Sequence, residues 1–156
     1  MRWILFTLLV SVAHYSYASE CQPNETLIAS CNLSGKISRL AAFCANKDED
    51  TIRYSFSKGN TSELTVTFNS KNKLKRWVDS ATYTTYLGFN RGVYSYVLRI
   101  PEEKPGVVAL LDVKKNGDII STKRCSSNSF GEEDIKINSI EDVDDSVVRN
   151  NGFKFP

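Results

Sequence analysis

Four cysteines are the residues of this chain most able to do chemistry, and a single histidine accompanies them. Cys21, Cys31, Cys44 and Cys125 show no CxxC-like spacing, and the histidine is His14. A zinc site needs clustered Cys or His ligands, and a nucleophilic Ser or Cys needs an imidazole to activate it. The sequence therefore predicts no metal site, no cofactor and no catalytic residue.

Residues 1–18 have the pattern of a secretory signal peptide. Arg2 gives a positive start, Trp3 to Ala13 is an apolar run, and small residues stand three and one positions before a cut after Ala18. A membrane-spanning helix would need about twenty apolar residues. We therefore expect export to the periplasm, with secretion from the cell as the alternative, and no membrane association after cleavage.

Cleavage after Ala18 changes the inventory of charged and catalytic groups. It removes His14 and Arg2, so the mature chain has no histidine and carries 19 Lys and Arg against 18 Asp and Glu. This near-neutral balance provides no global field that favours nucleic acid. The densest basic cluster, Lys71 to Arg76, has only Trp77 as an aromatic neighbour, which favours a solvated loop over a nucleic-acid patch.

An even number of cysteines in an exported chain predicts disulfides, here two bonds with three possible connectivities. We predict Cys44–Cys125, which would tie the start of a β-region to its last strand. We predict Cys21–Cys31 as the second bond, which would pin a loose N-terminal arm.

Apolar and polar residues alternate from Thr51 to Cys125, which predicts six strands. Residues 52–68 form one hairpin around Lys58-Gly59-Asn60, and residues 83–100 form a second around Asn90-Arg91-Gly92. A loop spans Pro101 to Pro105. The apolar run 107–113 predicts a central strand, and Asn116-Gly117 predicts a type I′ turn into residues 118–125.

These elements predict an all-β fold, either a small antiparallel β-barrel or a two-layer sandwich, stabilised by disulfides. Lys36 to Cys44 fits a further strand or a short helix, and Glu132 to Val148 has partly helical spacing but also fits strand pairing or a loose tail. We divide the chain into a signal peptide (1–18), an antiparallel β domain (19–130) and an acidic C-terminal extension (131–156). The extension has seven acidic and three basic residues, and we favour a solvated tail over one that folds back on the basic body.

Short motifs of the β-region resemble those of a group of small exported β-rich proteins of Gram-negative bacteria. The group is similar in architecture to periplasmic lysozyme inhibitors and to type VI secretion immunity proteins. The resemblance covers about residues 40–125 and rests on Tyr54-Ser55-Phe56, Glu63-Leu64, the hairpin 90–96, Gly106-Val107, Asn116-Gly117 and Cys125. It implies an immunity or inhibitor protein whose partner is a cognate toxin or hydrolase. The inhibitors' Ser-Gly-x-x-Tyr loop is not reproduced, which turns the expectation away from lysozyme as the target.

The aromatic-rich hairpin 83–96 is the expected contact surface. Tyr and Arg are the residue types that most often anchor protein interfaces. Tyr86 and Arg91 fall off the apolar face of the hairpin, and Asn90 and Tyr94 flank its turn. We predict Tyr86, Asn90, Arg91 and Tyr94 as partner-binding residues of a monomer or small homo-oligomer.

Three alternatives stay open at this level. The neighbouring acids Asp48, Glu49 and Asp50 would serve a carboxylate-based enzyme of the glycosidase kind. A ligand-binding or structural secreted β-barrel without inhibitory activity predicts an internal pocket. A eukaryotic secreted protein would use the N-glycosylation triplets that begin at Asn24 and, further along, at Asn32 and Asn60.

Overall fold

A computed structural model of the chain describes residues 20–102, 104–127 and 131–156. The predicted signal peptide, residues 1–18, lies outside the described residues. The elements follow one another as β1 (Thr26–Leu33), β2 (Arg39–Asn46), β3 (Thr51–Lys58), β4 (Thr61–Phe68), β5 (Leu74–Asp79), β6 (Thr84–Arg91), β7 (Tyr94–Ile100), β8 (Leu110–Lys115), β9 (Asp118–Arg124), β10 (Ile140–Val143) and the short helix α1 (Asp145–Asn150).

The strands form two sheets. The first has the order β1-β2-β3-β4, and the second has the order β10-β5-β6-β7-β8-β9. Neighbouring strands are antiparallel except for β10 and β5, which are parallel. The prediction of an all-β fold is confirmed. The described strands make a two-layer sandwich rather than a closed barrel.

Aromatic rings from both sheets fill the space between the layers. Tyr54 of β3 lies with its ring centroid 4.9 Å from that of Phe89 on β6, and Phe68 of β4 lies 5.2 Å from the same ring. Phe43 and Tyr96 complete the cluster. Each of these rings belongs to a different strand. The alternation of inward and outward side chains along each strand places the ring on the inner face of its sheet.

Three predicted hairpins are confirmed, namely β3–β4, β6–β7 and β8–β9. Asn116 and Gly117 both have positive φ, at 52° and 90°, as a type I′ turn requires. The predicted central strand is shorter than expected, because β8 begins at Leu110 instead of Val107. Tyr83 lies outside β6, with a φ of 52° and its side chain exposed.

The predicted disulfide pairing is wrong. The bonds are Cys21–Cys44 and Cys31–Cys125. Cys44 follows Phe43 in β2, and successive side chains of a strand point to opposite faces, so a core Phe43 places Cys44 on the outer face. Cys125 lies in the core between the sheets, where Cys31 of β1 meets it.

Two strands lie where the sequence predicted none, and a third lies in the tail segment for which strand pairing stayed open. The expected loose N-terminal arm is instead β1, which pairs along its length with β2. The expected solvated basic loop contains the first part of β5, in which Arg76 is buried. The third strand, β10, belongs to the acidic C-terminal extension.

The preference for a solvated C-terminal tail is wrong, since the acidic segment folds back on the second sheet. The residues of β10 pair with β5 from Ile140↔Leu74 to Val143↔Trp77. The carboxylate of Asp142 accepts hydrogen bonds from Nε and Nη2 of Arg76 at 2.5 and 2.9 Å. The Trp77 indole donates to Asp145. Basic and polar groups of β5 thus hold the acids of the tail.

Every outer strand of the two sheets carries a feature that hinders pairing with another chain. The strands β1, β4 and β9 each contain one extra residue relative to the neighbouring strand, at Ile28, Glu63 and Ile120. The fourth, β10, has four residues and includes Glu141 and Asp142. Bulges, charges and short length all blunt sheet edges. Recognition by strand addition is therefore disfavoured, and side-chain surfaces are the candidates for contact.

Candidate interaction surface at the hairpin turns

Two hairpin turns lie side by side at one end of the second sheet. The β6–β7 turn consists of Gly92 and Val93, and Gly92 has a φ of 61°, as a two-residue turn with Gly in first position requires. The β8–β9 turn consists of Asn116 and Gly117. The backbone N–H of Asn116 donates to the carbonyl of Val93 at 2.8 Å, which joins the two turns.

The C-terminal residues pack beside these turns on the outer face of the second sheet. After α1 the chain turns at Gly152, and Phe155 then lies buried against Gly88 of β6. The Lys114 ammonium donates to the carbonyl of Phe155. Residues 152–156 therefore have a fixed position next to β8.

A groove of about 900 Å³ lies on the first sheet, and a second groove of about 780 Å³ lies at the turns. The groove at the turns is bordered by the β6–β7 turn, the β8–β9 turn and the C-terminal residues. A smaller cavity of about 200 Å³ continues it and shares Lys114, Ile119, Phe153 and Phe155 with it. We call the groove, the cavity and the two turns the turn surface.

Exposed apolar side chains concentrate on the turn surface. Val93 is 53% exposed, Ile119 58% and Phe153 56%, and all three line the groove. Ile120 and Tyr94 are exposed next to them in the chain. Five of the nine large apolar side chains that are exposed among the described residues thus lie at this end of the second sheet. Such clustering is typical of an interaction site.

The turn surface is also basic. Arg91, Lys114, Lys115 and Lys154 lie at or next to the turns, Asp118 is the acidic residue that lines the groove, and Arg99 lines the smaller cavity with Asp79 and Asp112. Burial lowers the pKa of the Lys114 ammonium. An anionic partner group that replaces lost hydration would stabilise the charged form of this side chain. Lys114 and Lys154 therefore lie beside the exposed apolar side chains of the groove, while Arg91 and Lys115 lie on the other face of the sheet.

Three of the four predicted partner-binding residues lie at the turns. Asn90 accepts a hydrogen bond from the Ser95 hydroxyl at 2.6 Å and lines the groove. Arg91 and Tyr94 are paired across the hairpin and lie on the opposite face from Asn90. Lys115 Nζ is 5.8 Å from the centroid of the Tyr94 ring.

The fourth predicted residue, Tyr86, lies away from the turns but lines the smaller cavity. Its ring stacks on that of Trp77, with centroids 4.2 Å apart, and Phe155 packs against both rings. Burial raises the pKa of the Tyr86 hydroxyl. Tyr86 therefore supports the C-terminal residues that form one wall of the groove.

Sequence reasoning missed Lys114, Ile119, Phe153 and Lys154. A signal for Ile119 was present, since two adjacent isoleucines follow the Asn116-Gly117 turn after Asp118 and put one apolar side chain on each face of a strand. Phe153 and Lys154 gave no such signal, because their position depends on the docking of the tail.

Among the other candidate groups of the sequence, Asp50 and the cysteines have structural contacts. Asp50 lies in the β2–β3 turn with a φ of 50°, and its carboxylate accepts a hydrogen bond from the backbone N–H of Asn138 at 2.8 Å. Cys21, Glu25 and Cys44 come close together, but the two sulfurs are joined in a disulfide and offer no thiolate to a metal.

The groove on the first sheet differs from the one at the turns. Serine, threonine and amide side chains line most of it, and Arg53 in its floor donates to Glu25 at 2.8 and 2.5 Å. Its one large aliphatic lining residue, Leu40, is half-buried. This groove lacks the exposed apolar side chains that anchor protein interfaces.

No family model matches the chain, and no curated protein or solved structure is significantly similar to it. Among the residues that the structure describes, no helix has both the length and the apolar character needed to cross a membrane.

Gly88→Ala is expected to displace the C-terminal wall of the groove. A Cβ atom at Gly88 would lie 2.9 Å from Cε1 of Phe155 and 3.3 Å from Cγ of Pro156, so the ring must move. Overpacking of this kind costs about 1–3 kcal/mol. Acrylamide quenching of Trp77 fluorescence, measured on the chain without residues 1–18, should increase.

Gly35→Ala is the matched control, because its nearest non-neighbouring atom is 3.4 Å from the added Cβ. Unchanged quenching and melting temperature in Gly88→Ala would show that Phe155 does not pack on Gly88 in solution.

Proposed function

We propose that the protein is an exported inhibitor or immunity protein that binds and neutralises an exported bacterial toxin or hydrolase, such as a type VI effector that cleaves lipid or peptidoglycan. The observation that carries the proposal is the turn surface, where exposed apolar side chains and basic groups occur together on a rigid pair of linked hairpins. Interfaces draw their affinity from a few anchors of this kind on a preorganised surface.

The disulfides support the proposal that the protein binds its partner outside the cytoplasm. Two disulfides join the described cysteines, which is typical of proteins that fold in an oxidising environment outside the cytoplasm. The periplasm is the compartment we propose. There an immunity protein would meet a toxin at its site of action.

The proposed mechanism is occlusion of the partner's active cleft. Arg91 projects from the β6–β7 turn and is exposed, and a guanidinium can donate two parallel hydrogen bonds to a carboxylate. Tyr94 contributes a ring of large contact area whose few rotatable bonds limit the entropy lost on binding. Both side chains lie on one face of the turn, so they can enter the same cleft.

The double variant Arg91→Ala/Tyr94→Ala is expected to lose affinity for the partner by about 30-fold or more, since truncating an interface anchor costs roughly 2 kcal/mol. The test measures inhibition of purified exported enzymes: a muramidase, a peptidoglycan amidase, a phospholipase and, as the fourth, any exported enzyme encoded by the gene next to this protein's. The wild-type protein should inhibit one of them.

The control is Arg39→Ala/Tyr83→Ala, which removes the same two side-chain types from exposed positions outside the turn surface. Melting temperatures must show that both double variants fold. The proposal fails if none of the four enzymes is inhibited. Undiminished inhibition by Arg91→Ala/Tyr94→Ala would move the interface away from the turns.

A further inference from the structure

We infer that the groove of the turn surface binds an acidic segment of the partner, in which an apolar side chain lies next to a carboxylate. The inference rests on the proposed function and adds a second contact to it. The β6–β7 turn would enter the partner's cleft, while the groove between β9 and the C-terminal residues would receive a segment of the partner.

The walls of the groove are apolar. Ile119 lies on one side and Phe153 on the other, and both side chains are more than half exposed. Phe153 has a φ of 60°, an unfavourable conformation for an aromatic residue. The Arg149 guanidinium lies 5.4 Å from the centroid of its ring and helps to hold it in place. An apolar side chain inserted between these walls would cover surface that is now exposed to water.

The floor of the groove offers hydrogen-bond donors. The Lys114 ammonium donates to the Phe155 carbonyl and has three N–H groups in total. Arg99, at the cavity end, donates from Nη2 to Asp112 at 3.1 Å. Its Nε is 2.7 Å from the same carboxylate but is not oriented to donate. Arg99 is therefore engaged with Asp112, while Lys114 keeps N–H groups that can donate to a carboxylate of a ligand.

The charges of the groove select an anion over a cation. Asp112 is occupied, because it accepts from Arg99 and from the Thr122 hydroxyl at 2.6 Å. Lys114 and Lys154 have no ion-pair partner within the described part of the chain. Asp118 is the single acidic side chain among the described residues that line the groove. A carboxylate on the ligand complements this arrangement, while a Lys or Arg would meet like charge.

The probes are three fluorescein-labelled peptides tested by fluorescence polarisation. The first is Gly-Ser-Glu-Leu-Glu-Phe-Ser-Gly, the second replaces both Glu by Gln, and the third replaces Leu and Phe by Ser. The first should bind about tenfold or more tightly than the others, because each of them removes one half of the proposed contact. Its binding should also weaken with added salt.

Variants then locate the site. Lys154→Gln and Ile119→Ser should each weaken binding of the first peptide about fivefold or more, since each removes one element of the groove. The matched controls are Lys36→Gln and Ile37→Ser, exposed residues that precede β2 on the other sheet. Equal binding of the three peptides, or equal losses in test and control variants, would overturn the inference.

The enzyme-inhibition assay separates this inference from the proposed function. If an exported enzyme is inhibited and Lys154→Gln and Ile119→Ser inhibit it equally well, the groove inference falls while the proposed function stands. If none of the four enzymes is inhibited but the first peptide binds at Ile119 and Lys154, the proposed function falls and the recognition of acidic segments stands.

Discussion

Replacing Cys31 and Cys125 together by alanine is expected to lower the free energy of unfolding by about 4.7 kcal/mol, the loop-entropy value for a closure of this size. The two residues are 94 positions apart, and their bond joins β1 of the first sheet to the end of β9 in the second. Both side chains are buried in the core between the sheets. Without the bond, the segments that contain Cys31 and Cys125 can separate in the unfolded chain. The added conformational freedom favours unfolding.

Cys21→Ala/Cys44→Ala is the matched control. This bond closes a separation of 23 residues and holds the N-terminal segment to β2 on the outer face of one sheet. The same relation gives about 3.4 kcal/mol for it. Urea unfolding of both double variants and of the wild type measures the difference. A larger loss from the shorter closure would contradict the assignment of Cys31–Cys125 as the main crosslink.

The hairpins of this fold were predictable because each combines two local signals. In β3–β4 and β6–β7, alternation identifies the inward positions and a glycine with positive φ marks the turn. In β8–β9, Asn116-Gly117 specifies the turn type. Signals of this kind depend only on residues close in sequence, so they are readable without knowledge of the rest of the fold.

The missed strands depend on distant residues. In β1, the extra residue at Ile28 interrupts the alternation that identifies a strand. In β5, Arg76 is two residues after the core residue Leu74, so its side chain points to the same face of the strand. Arginine is almost never fully buried unless it is paired. Its partner is Asp142, 66 positions later. No local pattern contains that information.

The disulfide error has a local cause that the sequence could have revealed. Phe43 and Cys44 are adjacent in a strand, so they cannot both face the core. Assigning Phe43 to the core excludes the pairing of Cys44 with a core cysteine. The candidate site was also predictable only in part. The sequence marks Asn90, Arg91 and Tyr94 at a turn, but Phe153 and Lys154 reach the groove only because the tail docks on the second sheet.

That docking depends on Arg76, so Arg76→Met is expected to destabilise the protein by about 3 kcal/mol or more and to disorder the wall of the groove. The Arg76 side chain is 2% exposed and donates to Asp142, to the Glu133 carbonyl at 2.7 Å and to the Ile135 carbonyl at 2.9 Å. Methionine fills similar space but leaves both carbonyls without this donor. Removing a charged hydrogen-bond partner from buried groups lowers the free energy of unfolding by this amount, because those groups stay desolvated.

Arg76→Lys is the informative second variant, because it keeps the charge but cannot reproduce the fork of donors that bridges Asp142 and the two carbonyls. It should recover only part of the lost stability. Arg39→Met is the control for an exposed arginine. Its nearest carboxylate, on Glu63, is 3.8 Å away, so we expect a change of less than about 1 kcal/mol.

The pH dependence tests whether Arg76 acts through Asp142. Hydrogen bonds from Arg76 lower the pKa of the Asp142 carboxyl below its ordinary value. The ionised pair therefore adds stability above the ordinary pKa of an aspartate, and this contribution is lost as the pH falls through the lowered value. The stability difference between wild type and Arg76→Met should be larger at neutral pH than in strong acid. A difference that does not change with pH would mean that the two carbonyl contacts alone hold the tail, and that Asp142 adds nothing to the position of the groove wall.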